Sequence, residues 1–104
     1  MKRIQVTKAH NFNMRDKNVR VDVRNRIDKF AIYLCDDYNI QSIWRDAQHV
    51  DFKCSSGIAN GLQGVLTIDN SYITIDLDLP FTMIALSDVL KKAIDEKLSG
   101  FIKA

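Results

Sequence analysis

The sequence predicts an α+β domain of two layers, a twisted antiparallel sheet of about five strands with two helices packed on one face. Three observations predict it. Two segments place apolar residues at three- and four-residue steps, which gives each a single stripe at 100° per residue. Five shorter segments alternate apolar and polar residues, so each turns one side to a core. Their order is β-α-β-β-β-β-α, and one-sided strands with one-stripe helices are satisfied most economically by two layers. With 104 residues the chain reads as one domain, 1–104, too short for a two-domain enzyme with an interdomain cleft.

Ile4 and Val6 alternate with Gln5 and Thr7, which suits a short strand. Asn13 is a candidate N-cap with Asp16 three residues on and Phe12 before it. The first helix is expected from about Met14 to Tyr38, its stripe formed by Val19, Val23, Ile27, Phe30, Leu34 and Tyr38. Val21 and Ile32 fall on the opposite side and mark at most a weak contact patch, which leaves a homodimer open. Asn39 suits the left-handed residue that ends a helix.

Ser42–Arg45 is a short strand, Asp46-Ala47-Gln48 a turn, and His49–Cys54 a strand with Val50, Phe52 and Cys54 on one side. After a glycine-bearing loop from Ser55 to Gly61, Leu62–Ile68 resumes the pattern. Asp69-Asn70-Ser71 is turn chemistry. Tyr72–Leu79 alternates most sharply, with Ile73, Ile75, Leu77 and Leu79 inward, and Pro80 stops it. The second helix is expected from Thr82 to Ile102, with Met83, Leu86, Leu90, Ile94, Leu98 and Phe101 inward and Asp88, Lys92, Asp95, Glu96 and Ser99 outward.

Hydrophobic residues at 46% and charged residues at 27% exclude a disordered chain. The net charge of +2 hides an asymmetry, +6 over residues 1–29 and −4 over residues 30–104. Arg15, Arg20, Arg24 and Arg26 form a candidate basic surface, although Asp16, Asp22 and Asp28 interrupt it. No apolar run approaches the ~20 residues of a membrane span, and no apolar segment follows the basic N-terminus as in a signal peptide. A cytoplasmic location is therefore expected. Cys35 and Cys54 then serve as small apolar filler rather than as a disulfide.

Several stretches together resemble a family of small bacterial proteins, the polyhydroxyalkanoic acid system proteins. They are Ile4-Gln5-Val6 followed by His10 and Phe12, then Trp44-Arg45-Asp46, Val50-Asp51-Phe52, Gly61–Ile68, Ile73–Leu79 and the apolar spacing of Met83–Leu98. The resemblance spans nearly the whole chain. The chain departs from the family pattern after the Trp segment, where Asp46 or Ala47 stands for Gly, and before the first helix, where Phe12-Asn13 stands for Leu-Gly. The Ser55–Asn60 loop is longer than in the family. The resemblance implies a role linked to storage-polyester granules, through the granule surface or a granule protein. It implies no established activity.

The remaining constellations read first as structure. His10 precedes a helix and suits a turn histidine bonded to backbone better than a proton carrier or ligand. His49 has no second ligand near it, so neither a metal nor a cofactor is expected. His49 and Cys54 lie five residues apart along one strand, which sets them on opposite sides. Asp76 and Asp78, about 7 Å apart on one side, suit solubilising residues better than an acid/base pair. Trp44, Phe52 and Tyr72 do not make a base-stacking platform, because Phe52 is on the apolar side and the neighbouring face is acidic through Asp51, Asp76 and Asp78, so nucleic acid is not an expected partner.

The leading expectation is a non-enzymatic protein that acts by binding. The alternative is a small hydrophobic-ligand module of helix-grip architecture, with His10, Trp44, Phe52, Leu66 and Ile75 as ligand or interlayer positions, joined by Leu90 and Ile94. A third reading, an acyl-ester hydrolase, requires a nucleophile and base in contact.

Overall fold

A computed structural model describes residues 2–103. The elements are β1 (Lys2–Ala9), α1 (Lys17–Tyr38), β2 (Gln41–Asp46), β3 (His49–Lys53), β4 (Gln63–Ile68), β5 (Tyr72–Leu79), a 3-10 helix (Phe81–Leu86) and α2 (Ser87–Ile102). All ladders are antiparallel in the spatial order β1-β5-β4-β3-β2. One core row runs straight across the sheet through Val6, Ile75, Leu66, Val50 and Trp44. The next holds Ile4, Leu77, Gly64, Phe52 and Ser42. Both helices lay their stripes on this side, α2 over β1 and α1 over β2.

The other side of the sheet is dressed by cross-strand polar pairs. Arg3 grips Asp78 through Nε at 2.8 Å and Nη2 at 3.2 Å, Gln5 donates to Asp76 at 2.8 Å, and Arg45 Nε donates to Asp51 at 3.0 Å. The two β5 carboxylates therefore each have a partner on β1.

Three boundaries differ from the sequence expectation. The N-cap of α1 is Asp16, not Asn13: Asp16 Oδ1 accepts from Asn18 N–H at 2.8 Å, while Asn13 opens the preceding turn by accepting from Arg15 and Asp16 N–H. Both have cap chemistry, and the one directly before the periodic residues wins. β1 runs the full eight residues because all eight pair with β5. The second helix begins as a 3-10 turn, which advances 120° per residue instead of 100°. That change of phase leaves Leu86 43% exposed and puts Ser87 inside, where its Oγ accepts from Lys2 Nζ at 3.0 Å. At the far end Ile102 is buried and Phe101 half-buried. Asp95 does not face away but pairs with Lys8, tying α2 to β1.

Asn39 closes α1 at φ 59°, with its N–H on Cys35 O at 2.9 Å and Ile40 N–H on Leu34 O at 3.3 Å. This is the left-handed close that glycine usually makes, with Ile40 fully buried behind it.

Gly64 is the tightest point of the sheet. A Cβ there would lie 2.4 Å from both Asp76 O and Leu77 Cδ2. Gly100, inside α2, has nothing within 4 Å of the same position. Gly64→Ala is therefore expected to destabilise by about 1–3 kcal/mol through overpacking. Gly100→Ala is expected to stabilise by about 0.5–1 kcal/mol through helix propensity. Urea denaturation of the two variants checks the opposite signs.

Four surface carboxylates are held below their ordinary range. Asp78 is lowered chiefly by Arg3, Asp51 by Arg45, Asp46 by the Gln48 N–H, and Asp69 by the Ser71 and Tyr72 N–H groups. A folded pKa below the unfolded value of about 3.9 adds stability that is present above that value and is lost as pH falls through the folded one. The urea midpoint is thus expected to stay level from pH 7 to about 5 and to drop below about pH 4. Asp69→Asn keeps the turn acceptor and should make the drop shallower.

Candidate functional site

Two surface features stand apart from the packed core, and they lie at opposite ends of the sheet. The first is an open groove of about 520 Å³ at the end that carries the β2–β3 and β4–β5 turns. Its apolar part comes from Met14, Val21 and Val23 on the α1 side and from Trp44 and Ile68 on the sheet. Lys17, Arg20 and Arg24 line it from α1, and Asp46, Gln48 and Asn70 line it from the turns.

Trp44 is central to this end. It sits half-buried where the core row reaches the edge strand. Its Nε1–H donates to Asp28 at 2.8 Å, and the Arg24 guanidinium lies 4.6 Å from the ring centroid. Residues 24 and 28 are one helical turn apart, so α1 holds the indole by a charge-assisted hydrogen bond and a cation–π contact together. Trp44 is a latch between helix and sheet edge, rather than a wall of an interlayer cavity.

The other sequence candidates separate. Phe52, Leu66, Ile75, Leu90 and Ile94 are each 3% exposed or less and belong to one core cluster. They meet as packed core. His10 is buried, and both ring nitrogens are spent on backbone. Nε2 is 2.7 Å from Asp69 O and Nδ1 accepts from Phe12 N–H at 3.2 Å. A carbonyl can only accept, so these partners assign the proton to Nε2. The ring staples the β1 exit to the β4–β5 turn. His49 lies on the other sheet side with Nδ1 2.9 Å from Asp46. Cys54 is buried with Sγ donating to Ser56 O at 2.9 Å, and Cys35 is exposed. Among the described residues no three His, Cys, Asp or Glu side chains form a group that could hold a metal. Among them, too, no helix is long and apolar enough to cross a membrane.

The four arginines differ in what they contact. Arg15 is exposed. Arg20 folds back, its Nη1 donating to Met14 O and Arg15 O, both at 3.0 Å. Arg24 stacks on Trp44. Arg26 is half-buried: it pairs with Asp22 at 2.9 Å and donates to Phe101 O at 3.0 Å and Ile102 O at 3.4 Å. It thus caps the end of α2 from α1, supplying the cation that α2 lacks in its own last turn.

The second feature was not singled out from the sequence. At the opposite end Phe81 is 82% exposed and Val89 69%, and Ile58 and Leu86 also stand out. Thr82 Oγ1 donates to Ile58 O at 3.0 Å, which brings the long β3–β4 loop against the 3-10 helix. The signal was present in Phe81–Leu86, where five of six residues are apolar. One helix stripe cannot bury so many, so some must face out.

The chain belongs to the family described as "Putative polyhydroxyalkanoic acid system protein", whose model matches residues 4–102. No curated protein and no solved structure matches it.

The latch makes a local prediction. Asp28→Ala should cost about 1–2 kcal/mol, because it removes a charge-assisted hydrogen bond and leaves the indole N–H half-buried without a partner. The emission of Trp44, the single tryptophan of the chain, should shift with it. Fluorescence-detected urea titration of the variant checks both.

Proposed function

We propose that the protein works by binding, with no catalytic step of its own, and that it binds the surface of storage-polyester granules through the apolar end formed by Ile58, Phe81, Leu86 and Val89. The setting follows from the family. The single observation that carries the mode is Phe81, an aromatic side chain 82% exposed at the end of the sheet that also carries the exposed Ile58, Leu86 and Val89. Such grouping marks an interaction surface, whereas scattered apolar residues need no explanation. A polyester surface offers apolar area without a shaped pocket, and a protruding apolar end suits it. The engagement of His10 with backbone and of Cys54 with carbonyl oxygens supports a role without nucleophile or base. The same site would serve against a granule-coat protein, so the assay separates the two.

The test is co-sedimentation of purified protein with protein-free polyhydroxyalkanoate particles. Enrichment over an unrelated control is expected. Phe81→Asp with Val89→Asp should weaken it about tenfold or more, since each lost side chain is worth about 1.5–3 kcal/mol when buried. Val89 lies in the first turn of α2, where a carboxylate favours the helix, so the fold should survive. Binding only to particles carrying their native coat would move the contact to a granule protein. No enrichment on either would overturn the proposal.

A further inference from the structure

The groove at the other end of the sheet has a composition that the granule contact does not use. Lys17, Arg20 and Arg24 converge on it from successive turns of α1. Among the described residues none of the three has a carboxylate within 4.0 Å, although Arg3, Lys8, Arg26 and Arg45 all do. Lys17 and Arg20 also stand at the start of α1, the positive end of the helix dipole, where cations are disfavoured and only the N-cap carboxylate of Asp16 offsets them. The one carboxylate of the groove, Asp46, is already engaged by Gln48 N–H and His49 Nδ1. The groove therefore holds an uncompensated positive charge.

Its second property is apolar. Val21 is 53% exposed, an aliphatic on the outward side of α1 that the core cannot use. In the groove it joins Met14 and the open part of Trp44, above the buried Val23 and Ile68. A wholly solvated basic face would not place these side chains together. The volume, about 520 Å³, falls within the range of small-molecule sites, roughly 300–1,000 Å³.

We propose that this groove binds a small amphipathic anion, a carboxylate or phosphate head carried on a short alkyl tail. The head meets Lys17, Arg20 and Arg24, with Arg24 also stacked on Trp44. The tail lies along Met14, Val21 and the indole. The head group explains the unpaired cations, and the tail explains why apolar residues share their surface. The site is independent of the granule contact, because Phe81 and Ile58 lie beyond the far ends of the same strands.

Trp44 reports on the groove directly, being the single tryptophan. Titration of the full chain with octanoate and with octyl phosphate, below their micelle concentrations, should give a saturable change in its emission. Whichever head binds more tightly identifies the source. Octanol supplies the tail alone, and acetate or inorganic phosphate the head alone. Each is expected to bind at least tenfold more weakly than the matching amphiphile. Lys17→Gln with Arg24→Gln should weaken octanoate about tenfold or more, the worth of charge-assisted contacts. Lys91→Gln, exposed on α2, should leave it unchanged. Because Arg24→Gln alters the surroundings of Trp44, isothermal calorimetry measures the same affinities without the fluorophore. Equal binding of octanol would reduce the groove to an apolar patch. Equal binding of inorganic phosphate would reduce it to a plain anion site. Either result, or no binding of either amphiphile, overturns the proposal.

Discussion

The fold depends on the sheet burying one side only. Alternation in β5 leaves Ile73, Ile75, Leu77 and Leu79 almost fully buried while Thr74, Asp76 and Asp78 remain partly open. Because the pleat has a period of two, the ladders carry that choice to every neighbour: Ile75 faces Val6 and Leu66, and Leu66 faces Val50. A slip of one residue in any ladder would turn a whole strand inside out. Both helices must then lie on the same side. The dry rows need two stripes to cover them, and the opposite side is committed to Arg3–Asp78, Gln5–Asp76 and Arg45–Asp51. Exposed pairs of this kind add little energy each. They keep the second side of the sheet wet.

That logic is why the architecture was legible in the sequence. Periods of two and of about 3.6 survive in the order of residues, and Val23, Ile27, Phe30 and Leu34 are read from their spacing alone. What was not legible depends on contacts remote in sequence or on local geometry. Asn13 and Asp16 are equally good caps on paper, and only the path of the chain separates them. The 3-10 turn has no periodic signature, so Leu86 and Ser87 exchange places. Arg26 reads as one more surface cation until the end of α2 arrives beside it, 75 residues away. Trp44 reads as an interlayer residue of a short strand. In the sheet, β2 is the edge, and an indole there can meet Asp28 and Arg24 as well as the core.

The two functional features differ in the same way. The apolar end could have been suspected from a segment too greasy for one stripe. The groove could not, because it joins the start of α1 to two turns distant in sequence, and its significance rests on which cations are already paired. Within one helix, Arg26 is consumed by structure, while Lys17 and Arg24 are left facing a cavity. Counting basic residues treats these as equals.

The pairing of Lys2–Ala9 with Tyr72–Leu79 also governs how the molecule is made. The first strand of this sheet joins the last, and the intervening hairpins can zip up earlier through local contacts. Closing so large a loop late gives the domain a high contact order, which slows folding. Until then one flank of the nascent sheet stays unsealed. A chain cut short within that final strand would strand its own beginning, and such an orphaned flank is a natural client for chaperones.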